Sequence, residues 1–408
     1  MMSSRTVPHP KILQGSLRKV TETLACELAA PTGRAPGWSD LDWIVARAVA
    51  AMHGISPLLL RTLQWRGPAS FHEFLEQQAA HTAARHRRMD ELLRRIDAGA
   101  NEAGVAALAL KGPALHALGL YRPGERPMAD VDLLVRPGAV DAAAAVLQSL
   151  GFRQVKQSWK ERVFAPGEER TADLLGEHAD NDLIVELHER ICEKLPWRIT
   201  DISGLVFTPQ AHPGLNAYAS KASLMIHLLL HAAGSMPIRA LRALQLHDLA
   251  LLSSCMTEAD WNEVLAQSVR GPRLWWAYPP LKLASRYYAS KIPGAVLDAL
   301  GAHCPRVLRR GAATRSIYDV SYSYPWVDAF PGIEWSQSVA ELLCYVANRV
   351  RPAKGHQALR DFEARTKPFT HNEWAGLSQS RRMLRWATSR PARPLTMNAV
   401  AIALARAQ

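Results

Sequence analysis

The residues best suited to chemistry lie in Arg126-Pro127-Met128-Ala129-Asp130-Val131-Asp132-Leu133-Leu134-Val135. On a strand, residues two apart project to the same face. Asp130 and Asp132 therefore stand side by side, while Val131, Leu133 and Val135 point to the opposite, buried face. Leu134 falls on the carboxylate side, beyond the pair. Two like charges this close are unfavourable unless a cation neutralises them. Mg²⁺, which prefers carboxylate and phosphate oxygens, is the natural candidate. A third carboxylate comes from Leu183-Ile184-Val185-Glu186-Leu187-His188, where Glu186 is flanked by apolar residues and His188 shares its face. Three such acids can hold two metal ions about 4 Å apart, which activate an attacking oxygen and neutralise a leaving pyrophosphate.

The strand-to-turn sequence Leu110-Lys111-Gly112-Pro113 supplies groups for phosphate. A glycine there permits close backbone approach, and the N-terminus of the helix that follows favours an anion. Lys111 and Arg126 are then placed to pair with a triphosphate as it gains charge. An isolated Asp-x-Asp most often lines the solvated face of an edge strand. Here the combination with the Lys-Gly turn, Arg126 and the Glu-x-His strand sets it apart.

The elements that must carry these residues read as follows. Leu41, Ile44, Val45 and Ala48 mark one face of a helix starting at Asp40. His53-Gly54-Ile55-Ser56-Pro57 breaks it, and Pro57 opens a short helix to Gln64. A longer helix over 69–98 carries Arg85, Arg87, Arg88, Arg94 and Arg95 as a solvated face, with Leu92, Leu93 and Ile96 inward. Strands are expected at 105–110, 129–135, 161–165 and 182–188, with a further one after Gly151 and helices at 113–120 and 138–150. Beyond Pro196 the pattern is helical over 220–232, 238–253, 258–267, 274–291, 293–323 and 339–350. Thr257 with Asp260 reads as an N-terminal cap. His227 and His231, four apart, share a helix face. No third zinc ligand follows them, so they read as a structural pair or as a pocket wall with Arg242 and Asp248. Trp275, Trp276, Tyr278, Tyr287 and Tyr288 read as core and interface.

The 408 residues are 48% hydrophobic and 21% charged, ordinary for a globular chain with a substantial core. No run approaches the roughly 18 apolar residues of a membrane span. Residues 1–20 lack the apolar segment of a signal peptide, so a cytoplasmic location is expected. The five cysteines are widely spaced without a CxxC pair, which argues against disulfides or a zinc knuckle and for buried reduced thiols. The net charge of +12 suits a polyanionic partner such as an NTP or nucleic acid.

The sequence resembles the family of uncharacterised bacterial nucleotidyltransferases, a branch of the DNA-polymerase-β-like superfamily. The likeness lies in Leu110 to Leu115, Arg126 to Val135 and Val185-Glu186-Leu187-His188. It extends to His53 through Leu59, to His227-Leu228-Leu229-Leu230-His231, to Arg242 with Asp248, and to Asp260-Trp261, covering roughly residues 40 to 300. The resemblance implies Asp130 and Asp132 as metal ligands and Glu186 as the third acid. Three departures stand out. Pro113 follows Gly112 and cannot donate an N–H to phosphate. The loop from Gly112 to Asp130 is long. The third acid is Glu rather than Asp.

These readings predict an α+β fold in which a small mixed-sheet, polymerase-β-like core is flanked by helical N-terminal and C-terminal regions. Residues 1–39 are read as an extension, 40–100 as the first helical region, 101–196 as the core, 197–350 as the second helical domain and 351–408 as a basic tail. The expected chemistry is Mg²⁺-dependent transfer of an NMP from an NTP, ATP first, to a hydroxyl of a small molecule, peptide or protein. Asp130, Asp132 and Glu186 hold the metal; Lys111, Gly112, Arg126 and His188 bind nucleotide. The alternatives are phosphoryl transfer, nucleotidyl transfer to a tRNA-like acceptor, and a non-catalytic, antitoxin-like binding protein. A nucleic-acid partner is disfavoured because no RNA-binding module is recognisable, and no membrane partner is expected.

Overall fold

The computed structural model describes residues 7–167, 175–208, 210–270, 274–352 and 377–407. Helix α1 (Pro10–Ala29) buries Leu13, Leu17, Val20, Leu24 and Leu28 at three- and four-residue intervals. It packs on α2 (Asp40–Met52), whose start is fixed by reciprocal bonds between Ser39 and Asp42. Gly54, at φ +65°, ends that segment in the left-handed region where a side chain would be strained. Helices α3 (Ser56–Thr62) and α4 (Ala69–Glu102) follow.

The sequence places Arg85 on the solvated face of α4, and this is corrected. Gln78, Thr82, Arg85, Met89, Leu92 and Ile96 share the buried stripe, and Arg85 is 3% exposed. It pairs with Glu177 at 2.6 Å and donates to the carbonyls of Asn181, Met128 and Ala129. This arginine therefore ties the chain just ahead of the Asp130 strand to the segment leading into the Glu186 strand. Arg87, Arg94 and Arg95 are exposed as expected.

The next elements are β1 (Ala106–Ala109), α5 (Gly112–Ala117), β2 (Asp130–Val135), α6 (Val140–Ser149), β3 (Phe152–Gln157), β4 (Glu161–Pro166) and β5 (Ile184–His188). A two-stranded ribbon, β6 (Cys192–Leu195) with β7 (Arg198–Asp201), precedes the short α7 (Ser203–Val206) and β8 (Gly214–Asn216). The main sheet runs β3-β4-β5-β2-β1-β8, with β2–β5 and β1–β8 parallel and the other pairs antiparallel. The mixed sheet with flanking helices is the α+β architecture expected from the sequence. Alternation gives the sheet two distinct faces. Val131, Leu133, Val135, Val185, Leu187 and Phe164 share a core with Met89, Leu92 and Ile96 of α4 and Leu147 of α6. Leu108 and Leu134, on the other side, join the core of the helical region.

That region comprises α8 (Lys221–Ser235), α9 (Ala243–Ser254), α10 (Glu258–Arg270), α11 (Tyr278–Tyr287), α12 (Gly294–His303), α13 (Arg306–Thr314) and α14 (Val339–Val350). Three of these helices are shorter than the periodicity suggests, the one expected over 274–291 being α-helical only over Tyr278–Tyr287 between 3-10 turns. The one expected from Ile238 starts only at Ala243, because Arg239 sits at φ +54° and Leu241 bridges Ser321. The one expected over 293–323 is two helices broken at Cys304-Pro305, since the residue before proline is pushed out of the helical region. Of the basic tail, residues 353–376 fall outside the described ones. Helix Pro394–Ala405 buries Met397, Val400 and Leu404 and packs on α2. All five cysteines are free, with Cys192 and Cys304 buried but Cys26 and Cys344 exposed, against the expectation of buried thiols throughout. Among the described residues no single helix is long and apolar enough to cross a membrane.

Candidate active site

The parallel pairing of β2 with β5 puts Asp132 directly opposite Glu186 and Leu134 opposite His188. Asp132 is 4% exposed. One of its oxygens lies 2.9 Å from His188 Nε2 and the other 2.8 Å from Lys111 Nζ. His188 Nε2 is also 3.6 Å from Glu186 Oε2. Asp130, two residues earlier on the same face, stands partly exposed at the cleft.

The electrostatics divide the two aspartates. Burial alone would raise the pKa of Asp132, but Lys111 and His188 outweigh it and hold the carboxyl well below its usual range. Burial would likewise lower His188, yet its bonds to Asp132 and Glu186 lift it to about 9, so it is an imidazolium at neutral pH. Lys111 is raised above an ordinary lysine by the same carboxylates, against the pull of burial. With both cations committed to Asp132, Asp130 is left under-compensated. Burial, then Asp132 and Glu186, push it up to about 7. Glu161 faces His188 from β4 and is raised by burial and by Glu186.

This donor set fits a divalent cation. Asp132, Glu186 and His188 each present a ligand atom, all within 4.8 Å of one another. Carboxylate oxygens suit a hard ion such as Mg²⁺, with Asp130 beside them carrying the least compensated charge. His188, taken from sequence as a nucleotide contact, thus lies inside the carboxylate cluster.

The turn after β1 is built around Lys111, a non-glycine residue at φ +53°, a costly conformation held by its surroundings. Its N–H donates to the Tyr218 hydroxyl at 3.1 Å. That hydroxyl in turn lies 2.7 Å from His227 Nδ1. Burial, then the Lys111 charge, keep His227 neutral. His227 and Tyr218 therefore brace the turn. His231 reaches the cleft one helical turn on. At Gly112 a Cβ would sit 2.5 Å from Met128 Sδ and 2.6 Å from an Arg126 guanidinium nitrogen, so a side chain there would displace one of those two. Because α5 has six residues with Pro113 in its first turn, Lys111 rather than the helix end is the turn's main offer to an anion.

Arg126 is not presented as a free cation. Asp248 of α9 holds it in a fork, Nε to Oδ1 at 2.9 Å and the terminal nitrogen to Oδ2 at 2.7 Å, and Tyr121 donates to the same carboxylate at 2.6 Å. Glu125, its neighbour in the chain, pairs with Arg61 and Arg122. Arg242 is the contrasting case: exposed, with its guanidinium 5.5 Å from the centre of the Tyr322 ring and in no ion pair among the described residues. Asp130, Asp132, Lys111, Gly112, Arg126, His231, Arg242, Gln245 and Tyr322 all line one cleft of about 340 Å³. Asp248 lies behind that wall, 1% exposed. Tyr218 and Tyr121 carried no sequence signal, since each acts on a residue more than a hundred positions away from its own partner.

A family model described as uncharacterised nucleotidyltransferase matches residues 39–289, more than half of the chain. The chain belongs to this family. Family membership supports nucleotidyl transfer as its general chemistry. Neither the curated proteins nor the solved structures searched gave a match. The matched span of this nucleotidyltransferase holds the carboxylates, Lys111, the α8 histidines, Arg242 and Asp248. Helix α1, Tyr322 and helix Pro394–Ala405 lie beyond it.

Proposed function

We propose that this nucleotidyltransferase is a Mg²⁺-dependent enzyme moving the NMP of an NTP, ATP in the first instance, to a hydroxyl of a small molecule, peptide or protein side chain. The observation that carries the reading is the register of β2 and β5. It brings Asp132, Glu186 and Asp130 to one face beside Lys111, and of these Asp130, Asp132 and Lys111 line the cleft. Asp130, Asp132 and Glu186 would hold the metal, which supplies charge neutralisation for the phosphates, while His188, protonated beside them, positions the Asp132 carboxylate. Lys111 and Arg242 are the cations within reach of a triphosphate, while Arg126 holds the wall. In the transfer the acceptor oxygen bonds to the α-phosphorus, the bond to the β-phosphate breaks, and pyrophosphate leaves. The hydroxyl proton passes to a carboxylate of the cluster, and Asp130, least compensated, is the one best able to take it.

The net charge of +12 favours a nucleic-acid acceptor as the second reading. Within the cleft, however, the described lining offers only Lys111, Arg126 and Arg242 as Lys or Arg cations, and Arg126 is held by Asp248, too few to follow a polyanionic backbone. The test is incubation with each α-³²P-NTP and Mg²⁺ against lysate, tRNA and purified candidate acceptors. Label should pass covalently to an acceptor and vanish with EDTA or in Asp132→Asn. Transfer of γ-label alone would replace the reading by phosphoryl transfer, and no transfer from any NTP would reject it.

A further inference from the structure

A second pocket, of about 320 Å³, adjoins the cleft. The two share Pro127, Ala129, Arg242 and Tyr322, so they meet at the edge where Asp130 begins β2. Their characters differ. The cleft is lined by the carboxylates and Lys111, whereas the second pocket is walled by Met52, Pro57, Leu395, Ala399 and Ile402. Its polar groups are mostly engaged. Gln78 exchanges hydrogen bonds with the backbone of Glu177, and the Glu177 carboxylate is paired with Arg85. Ser56 differs: it is 2% exposed, lines this pocket, and its hydroxyl has no hydrogen-bond partner among the described residues. That oxygen is itself sealed from solvent, so Ser56 closes the wall without offering the pocket a hydrogen-bonding group.

We infer that this pocket is the acceptor subsite and that it takes a small, largely apolar molecule bearing a hydroxyl, presented at the Ala129–Asp130 edge. The inference rests on the nucleotidyl-transfer reading above and names its acceptor class. Two observations favour the acceptor over the nucleotide. Among the described residues the pocket wall offers no cation for a triphosphate except Arg242, at the shared mouth. In addition, Tyr322, Leu395, Ala399 and Ile402 lie beyond the family match at 39–289. The lining from Met52 to Glu177, with Arg242, lies within the match, so one wall of the pocket is the family's and the other is this chain's own. The volume is at the small end of ligand pockets, and the walls are largely apolar, with Asn398, Tyr322 and Arg242 among the polar lining. It admits a compact molecule rather than a folded protein or an RNA.

The test uses the full chain with 2-phenylethanol as probe, glycerol as the polar control and Mg·ATP, each followed by ligand-observed NMR and calorimetry. Two variants fill the pocket, Ala399→Phe and, in case that buried position fails to fold, Ile402→Trp at a partly exposed one. The expected result is saturable binding of 2-phenylethanol but not glycerol, weakened about tenfold or more by either filling variant. Ser56→Ala should leave it within about twofold, because that hydroxyl is sealed from the pocket. Mg·ATP affinity should stay within about twofold in all three, as for an independent site. Absence of saturable alcohol binding, or binding untouched by both filling variants, overturns the proposal. So does a loss of Mg·ATP affinity in the filling variants, which would make this the nucleoside pocket. Failure of the transfer reading is seen separately, as absence of label transfer in a wild-type protein that still binds the alcohol.

Discussion

Arg126→Met is expected to be among the most destabilising single changes in this protein, and for a reason unrelated to nucleotide. Arg126 is 9% exposed and Asp248 1% exposed, and their forked pair is joined by the Tyr121 hydroxyl. Removing the guanidinium leaves a carboxylate in the wall with one neutral donor. Breaking a buried pair in this way costs about 3–5 kcal/mol. At about 1.4 kcal/mol per tenfold, the folded-to-unfolded ratio falls on the order of a hundred- to several-thousandfold. Replacing both partners, as Arg126→Met with Asp248→Leu, removes the stranded charge and should recover most of the loss. Recovery stays incomplete by about 1–3 kcal/mol, because Tyr121 then loses its acceptor. Urea unfolding of the wild type, both single variants and the double variant closes the cycle, with the denaturant slope checked for constancy. If Arg126→Met lost less than about 1 kcal/mol while Mg·ATP affinity dropped roughly tenfold or more, the pair would be incidental. Arg126 would then be a phosphate ligand after all.

Asp132→Asn is expected to abolish label transfer. It should also lower stability, because Lys111 and His188 lose the carboxylate that both engage; the thermal midpoint in EDTA measures this. Asp130→Asn should behave oppositely, raising the midpoint above about pH 7 in EDTA. The folded carboxyl sits near 7, the unfolded one about 3.9; the folded state thus holds an extra proton between these values, and stability falls as pH rises through 7. An Asp130→Asn midpoint that parallels wild type across this range would refute the under-compensated charge. His53, His116 and His247 are held neutral mainly by burial, at about 3, 4 and 4. Their lowered values give stability that is full above the unfolded value of about 6.5 and is lost as pH falls towards 3–4. The urea midpoint should therefore drop between pH 7 and pH 5, with His53 losing its bond from the Ala243 N–H when it finally protonates.

The parts of the site governed by local periodicity were legible. Two-residue alternation placed Asp130 with Asp132 and Glu186 with His188, and the apolar run over 105–110 with Lys-Gly marked the turn. The parts governed by pairing across the chain were not. No local rule connects Arg126 to Asp248 or Lys111 to Tyr218, because each partner is chosen by packing between elements more than a hundred residues apart. Arg85 falls between these cases. It was grouped with its arginine neighbours, yet it sits in register with Thr82, Met89, Leu92 and Ile96, and that spacing marks the inward face. Residues 1–39, read from sequence as an extension, carry helix α1, whose leucines recur at three- and four-residue intervals and pack on α2. The helix expected from Ile238 failed for a backbone reason: a left-handed Arg239 that composition does not announce.

The packing of helix Pro394–Ala405 on α2 has a consequence for how the protein comes into being. About 340 residues separate the two partners along the chain. At ribosomal speeds of roughly 5–20 residues per second, that gap is on the order of 20–70 s of synthesis. Throughout it, the surface of α2 that Val400 and Leu404 will cover is wet, on a nascent chain already long enough to collapse. A late-arriving helix of this kind makes the emerging polypeptide a natural client for chaperones that shield apolar surface. Slower decoding after residue 350 would lengthen the hazard, whereas slower decoding before α2 would not.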